Sequence, residues 1–180
     1  LASTFFWAED NGTAVASLSG ASKGTTRTFN VSQANWKNTD DVNTVYSSSP
    51  ISAGSNSYPK YQFGVFSGTF NQISNCLFQH TTGDFTQPGF TLVYTGISGY
   101  TTPATTALAG TAVDLTLTGL LTTGVPVFFG TTGPENARAA ATTLPSTGYT
   151  SYLVTQLKTS AAAPPGDSAI ITLSLRFDEN

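Results

Sequence analysis

The stretch Ile171-Thr172-Leu173-Ser174-Leu175-Arg176-Phe177 alternates apolar and polar residues without a break. A period of two sends every second side chain to the same side, so the stretch reads as a strand with one buried face and cannot be an amphipathic helix. The same pattern recurs upstream. Tyr61, Phe63 and Val65 face one way while Gln62, Gly64 and Phe66 face the other, and Val113, Leu115 and Leu117 alternate with Asp114, Thr116 and Thr118. Strands are predicted over residues 4–8, 25–31, 61–67, 72–80, 90–94, 112–118, 125–129, 151–159 and 169–178.

Turn residues separate these segments. Asp10-Asn11-Gly12, Ala53-Gly54-Ser55-Asn56, Thr82-Gly83-Asp84, Gln87-Pro88-Gly89 and Pro164-Pro165-Gly166-Asp167 supply the positive or fixed φ that tight turns require. Thr and Ser together provide about 50 residues, and β-branched Thr favours strands over helices. The sole helical candidate is 134–141, Pro-Glu-Asn-Ala-Arg-Ala-Ala-Ala, with Pro and Glu where a helix start tolerates them. Eight or nine short strands and at most one short helix predict an all-β fold, an antiparallel β-sandwich with jelly-roll-like topology. One domain over 1–180 suits the length, with 1–24 as a candidate extended N-terminal segment.

Only 9% of the residues are charged, against about 25% in ordinary soluble chains. The net charge is -3 and the seven Lys and Arg are scattered, so no basic stripe exists to neutralise phosphates and nucleic acid is excluded as a partner. The apolar runs are strand-length, far below the ~20 residues of a membrane helix, which predicts no membrane partner. The chain starts at Leu1 and contains no Met. An initiator Met is normally removed only before a small residue, so a segment preceding Leu1 is expected.

Cys76 is the single cysteine, which excludes an internal disulfide and suits a reducing cytoplasm. As a thiol in a strand it reads as a small core residue rather than a nucleophile. Ser57-Tyr58-Pro59-Lys60 spells the S-x-x-K of serine nucleophiles, but that motif needs a helix, which Pro59 and the following strand forbid. His80 is the only histidine, so a triad has one possible base and zinc has no ligand set; a structural role is expected. Calcium could draw oxygens from Asp40, Asp41 and Asn43 or from Glu9, Asp10 and Asn11, although Asp and Asn also serve turns by local hydrogen bonds. The ten carboxylates are too dispersed to define a glycosidase pair. Asn11-Gly12-Thr13 and Asn30-Val31-Ser32 match the glycosylation sequon, a frequent chance match in a chain so rich in Thr and Ser. No catalytic residues, metal or cofactor are predicted.

The aromatics carry the remaining lead. Trp7, Trp36, Tyr46, Tyr58 and Tyr100 flank loops or strand ends, where flat rings beside polar groups can stack a sugar or meet a protein partner. The alternative for each is a place in the core, which twelve Phe and seven Tyr must largely fill.

Four short segments combine aromatics with Gly, Thr, Ser and a few acids. They are Trp7-Ala8-Glu9-Asp10-Asn11-Gly12, Phe66-Ser67-Gly68-Thr69-Phe70-Asn71-Gln72, Tyr149-Thr150-Ser151-Tyr152-Leu153-Val154 and the ending Leu175-Arg176-Phe177-Asp178-Glu179-Asn180. With these the chain resembles the virion structural proteins of tailed bacteriophages, Gly/Thr/Ser-rich β-sandwiches ending in an aromatic-Asp-Glu strand. The resemblance implies a non-enzymatic capsid decoration or cement protein, or a tail or fibre component that binds a receptor or carbohydrate. It also implies assembly in the bacterial cytoplasm, residence in the virion, and as partners other copies of itself in a homotrimer and the major capsid protein.

Overall fold

The computed structural model describes residues 2–17, 20–32, 34–83, 88–97, 99–109, 111–113, 124–138, 140–166 and 170–180. Its elements are almost entirely strands: β1 (Ala2–Ala16), β2 (Ser22–Phe29), β3 (Lys60–Thr69), β4 (Ile73–Thr82), β5 (Phe90–Ile97), β6 (Thr111–Val113), β7 (Val125–Pro126), β8 (Phe129–Gly130), β9 (Gly148–Thr150), β10 (Tyr152–Thr159) and β11 (Thr172–Glu179). The main sheet runs β2-β1-β3-β10-β5-β6, with β9 also beside β3 and β8 beside β9; a smaller sheet runs β11-β4-β7. All pairings are antiparallel. In both sheets an early strand lies beside a late one, β3 beside β10 and β4 beside β11, and the two sheets make the expected antiparallel β-sandwich.

The inter-sheet core contains Phe66, Leu92 and Leu153 from the main sheet and Ile73, Cys76 and Phe78 from the smaller one. The expected apolar face of the last strand, Ile171, Leu173, Leu175 and Phe177, packs against it. Gly64 permits the close approach at its centre. A Cβ there would come within 2.7 Å of Phe5 Cε2 and 2.8 Å of Leu175 Cδ1. Its N–H donates to Thr150 Oγ1 at 2.9 Å, where the register of β3 against β9 and β10 slips by one residue.

The main sheet departs from the one-face pattern. Ala8, Tyr61, Phe63, Val65, Tyr152 and Val154 form a second core on its other side, with Tyr100 and partly buried Leu108 in it. Both come from segment 99–109, so β3 and β10 are buried on both faces.

Two further expectations change. Asp10-Asn11-Gly12 is not a turn but part of β1, because the Asp10 carboxylate, the Asn11 amide N–H groups and the Gly12 N–H find partners inside the protein. Gly12, at φ +87, takes up the irregularity in the β1–β2 register between Asn11 and Ala14. The helical candidate 134–141 reduces to a single 3-10 turn at Pro134–Asn136, since Ala137 returns to extended backbone. Asp114 to Thr118 of the sixth predicted strand, Ala169 of the last, and the turn residues Asp84, Gln87 and Asp167 lie outside the described residues.

Candidate functional site

Along β1, successive side chains alternate between the two faces of the main sheet, so Glu9 and Asp10 point to opposite sides and each gathers its own partners. Glu9 is fully buried. Its Oε1 accepts from Lys60 Nζ at 2.9 Å and from Asn11 Nδ2 at 3.0 Å, and its Oε2 accepts from Gln62 Nε2 at 3.0 Å. Lys60, equally buried, also donates to the Asp41 carbonyl at 3.4 Å. On the other face Arg27 grips Asp10 with two parallel bonds, Nε to Oδ1 at 2.8 Å and Nη2 to Oδ2 at 2.7 Å. Arg27 Nη2 reaches Glu135 Oε2 at 3.0 Å, and its guanidinium lies 5.0 Å from the Phe63 ring centroid. The Tyr152 hydroxyl donates to Asp10 as well.

The 37–44 segment closes the Glu9 side. Asp40 accepts from Asn11 Nδ2 at 2.8 Å and from the Gly12 N–H at 2.7 Å. Asp41 accepts from the backbone N–H groups of Asn43 and Thr44, and buried Lys37 stands 3.7 Å from it. Eight charged side chains are thus engaged in two clusters on opposite faces of the main sheet, Asp10, Arg27 and Glu135 on one and Glu9, Lys60, Lys37, Asp40 and Asp41 on the other, in a chain with seven basic and ten acidic residues.

The electrostatics follow from these contacts. Burial works against charge on Arg27, but its bonds to Asp10 and Glu135 outweigh that and raise its pKa. Burial likewise works against the Asp41 carboxylate, yet the Thr44 and Asn43 donors and the Lys37 charge hold it at about 2. Burial, then the Lys60 charge, lowers Lys37. Burial and the nearby Asp10 carboxylate push the Tyr152 phenol up.

Both calcium candidates resolve here. The carboxylates of the 9–11 set point to opposite faces and are paired with Lys60 and Arg27. Asp41 serves its own turn and Asp40 holds β1, so neither set converges on a vacant position. Among the described residues no three His, Cys, Asp or Glu side chains are placed to hold a metal. Lys60 is engaged by Glu9 and the Ser57 hydroxyl donates to the Tyr58 carbonyl, which separates the two halves of the S-x-x-K motif. Buried His80 bonds through Nε2 to the Thr82 carbonyl at 3.0 Å. Burial pushes the Cys76 thiol up to about 12. Asn11 is buried and both of its amide bonds are internal, so only the second sequon, at exposed Asn30, is open to solvent.

The five predicted contact aromatics divide. Tyr100 is withdrawn into the second core, 2% exposed, packed 4.5 Å from Tyr61 between ring centroids, with its hydroxyl on the Gly12 carbonyl at 2.7 Å. It cannot form part of a surface platform, because segment 99–109 folds over the sheet. Tyr58 is half-buried, its N–H on the Lys37 carbonyl at 3.1 Å, and does not line the groove described next. Trp7, Trp36 and Tyr46 converge on one groove of about 1050 Å³, shared with Ile51, Phe90 and Leu173. The Trp36 indole N–H donates to Thr155 Oγ1 at 3.1 Å, which fixes the ring at the groove wall.

Sequence reasoning missed the ion-pair clusters. Their available signal was the placement of Glu9, Asp10, Arg27 and Lys60 inside or beside strand-like segments of a chain with few charges. Comparison with family models, with curated proteins and with solved structures returned no match for the chain. Fold and site define an antiparallel β-sandwich with paired internal charges and an apolar groove. Among the described residues no helix is long and apolar enough to cross a membrane.

Proposed function

We propose that the chain is a non-enzymatic virion structural protein, a capsid decoration or cement protein that works as a homotrimer and stabilises the phage head by multivalent contact with the major capsid protein. One observation supports this reading above the others: eight of the few charges are engaged with internal partners, and on the described strands Thr is the commonest exposed residue, with exposed charge confined to Arg176, Asp178 and Glu179 of β11. Such faces can meet a neighbouring subunit without stripping water from Lys or Glu side chains. Low charge then belongs to surfaces that become interfaces, and avidity rather than chemistry performs the work. Closed symmetric oligomers are the usual outcome for such self-contacts. Sedimentation equilibrium tests the reading. A mass three times that of the 18.7 kDa chain is expected, and a strict monomer at high concentration that also fails to bind capsids would overturn it.

A second reading, a tail or fibre module that binds a receptor or carbohydrate, is favoured by the convergence of Trp7, Trp36 and Tyr46 on one groove. Its test is a glycan array repeated with Trp36→Ala. Hits lost in the variant support it, and an array without hits counts against it.

A further inference from the structure

The inter-sheet core is closed at its centre and half-open along one side. Phe66, Ile73 and Leu92 are fully buried there, with Phe5, Leu175 and Phe177 packed half-buried against the same core. The side chains that continue the same core toward residues 34–53, 160–166 and 170–171 are only half-buried: Trp7, Trp36, Ile51, Phe90, Ile171 and Leu173. All six line the groove, whose volume of about 1050 Å³ is just above the usual range of about 300–1,000 Å³ for small-molecule sites. Buried Phe78 and Leu157 lie at its deepest part, while its mouth carries Tyr46 at 41% and Ile170 at 88% exposure. Ile170 and Tyr46 extend the half-buried apolar surface of the groove into solvent.

The chemistry of the wall narrows what that can be. Among the described residues no Asp, Glu, Lys, Arg or His lines the groove, although the chain holds ion pairs a few residues away in β1 and β3. A charged ligand would lose its hydration and gain no counter-charge from the described residues. The polar groups that do line it are partly engaged already: the Trp36 N–H by Thr155, and the Gln62 amide N–H by Glu9. A saccharide filling the groove would set those hydroxyls that face Ile51, Leu157, Phe90 and Leu173 against groups that cannot bond them, each at a desolvation cost. An aliphatic chain meets no such cost and removes the half-exposed core residues from water. Near the mouth, exposed Asn35 and Ser47 offer uncharged hydrogen-bonding groups.

We propose that this groove binds an uncharged amphiphile, its aliphatic chain lying between the sheets against Trp7, Trp36, Ile51 and Leu173 and its neutral polar head at the mouth beside Asn35. The ligand completes the core whatever the chain assembles with, so its binding is independent of the virion reading, which sedimentation tests separately.

The chain contains two tryptophans, and both line the groove, so its whole indole emission reports on this site. Decanol, kept below its solubility limit, is titrated into the full chain. A saturable blue shift is expected, and a bromine-bearing fatty alcohol should quench the emission with the same midpoint. Decanoate and decylammonium should bind at least tenfold more weakly, and Leu173→Glu, if circular dichroism shows it folded, should weaken decanol at least tenfold. The brominated probe acts on the unmodified chain, so the test does not depend on the variant. Absence of a saturable response to decanol, or equal binding of the charged probes, would overturn the proposal. So would a saturable response to a neutral oligosaccharide that decanol fails to reproduce, which would assign the groove to sugars.

Discussion

Replacing Lys60 by Met tests the internal ion pairs where they are most exacting. Lys60 Nζ and Glu9 Oε1 are 2.9 Å apart, and the two side chains are 2% and 0% exposed. Met keeps most of the aliphatic stem and removes the charge, leaving Glu9 with two amide donors, Asn11 and Gln62, and no direct cation. Removing one partner of a buried pair typically costs about 3–5 kcal/mol, because the other charge stays desolvated. The retained amides place this case toward the lower end. At roughly 2–4 °C per kcal/mol for a domain of this size, Tm should fall by about 6–20 °C. Adding Glu9→Gln removes the orphaned charge, so the double variant should recover much of the loss. Urea and thermal unfolding followed by circular dichroism measure all three variants, and an unchanged urea slope shows that stability alone has moved. A loss below about 1 kcal/mol for Lys60→Met, or additive losses in the double variant, would refute the placement of this pair in the interior.

The remaining predictions concern single sites. Cys76, buried and with its thiol pushed up to about 12, should resist a thiol reagent at pH 8 in the native chain and react fully in denaturant. Asp41 titrates at about 2, below the ~3.9 of an unfolded aspartate, so its contribution is fully present above that unfolded value and lost as pH falls through about 2. The acid limb of urea midpoint against pH should therefore flatten between about pH 4 and 2 in Asp41→Asn, by less than about 1 kcal/mol because the side chain is partly solvated. Gly64→Ala forces a methyl against Phe5 and Leu175 and should destabilise by about 1–3 kcal/mol in chemical unfolding.

Strand-forming segments were legible because period-two patterns survive any tertiary context: the apolar faces of Tyr61–Phe66 and Ile171–Phe177 lie where their alternation places them. What covers a face was not legible. The second core depends on segment 99–109 folding over β3, and nothing local to Tyr100 encodes that. The same limit explains β1, where Asp10-Asn11-Gly12 has the composition of a turn but is drawn into the sheet by Arg27, Lys60 and Asp40, residues 17 to 51 positions away. Ion pairs between strands leave no spacing rule in a single chain, whereas the aromatic lead needed only residue type. Three of its five members meet at the groove, and Tyr100 went to the core it could equally well fill.

On the proposed reading, this nearly uncharged sandwich is built to be covered by neighbours in a particle. The most direct test is the protein inventory of purified virions encoded by the same genome, quantified by mass spectrometry against the major capsid protein. A fixed, high ratio in intact heads, together with symmetric density contacting capsid subunits, is the predicted result. Absence of the chain from purified particles would contradict it.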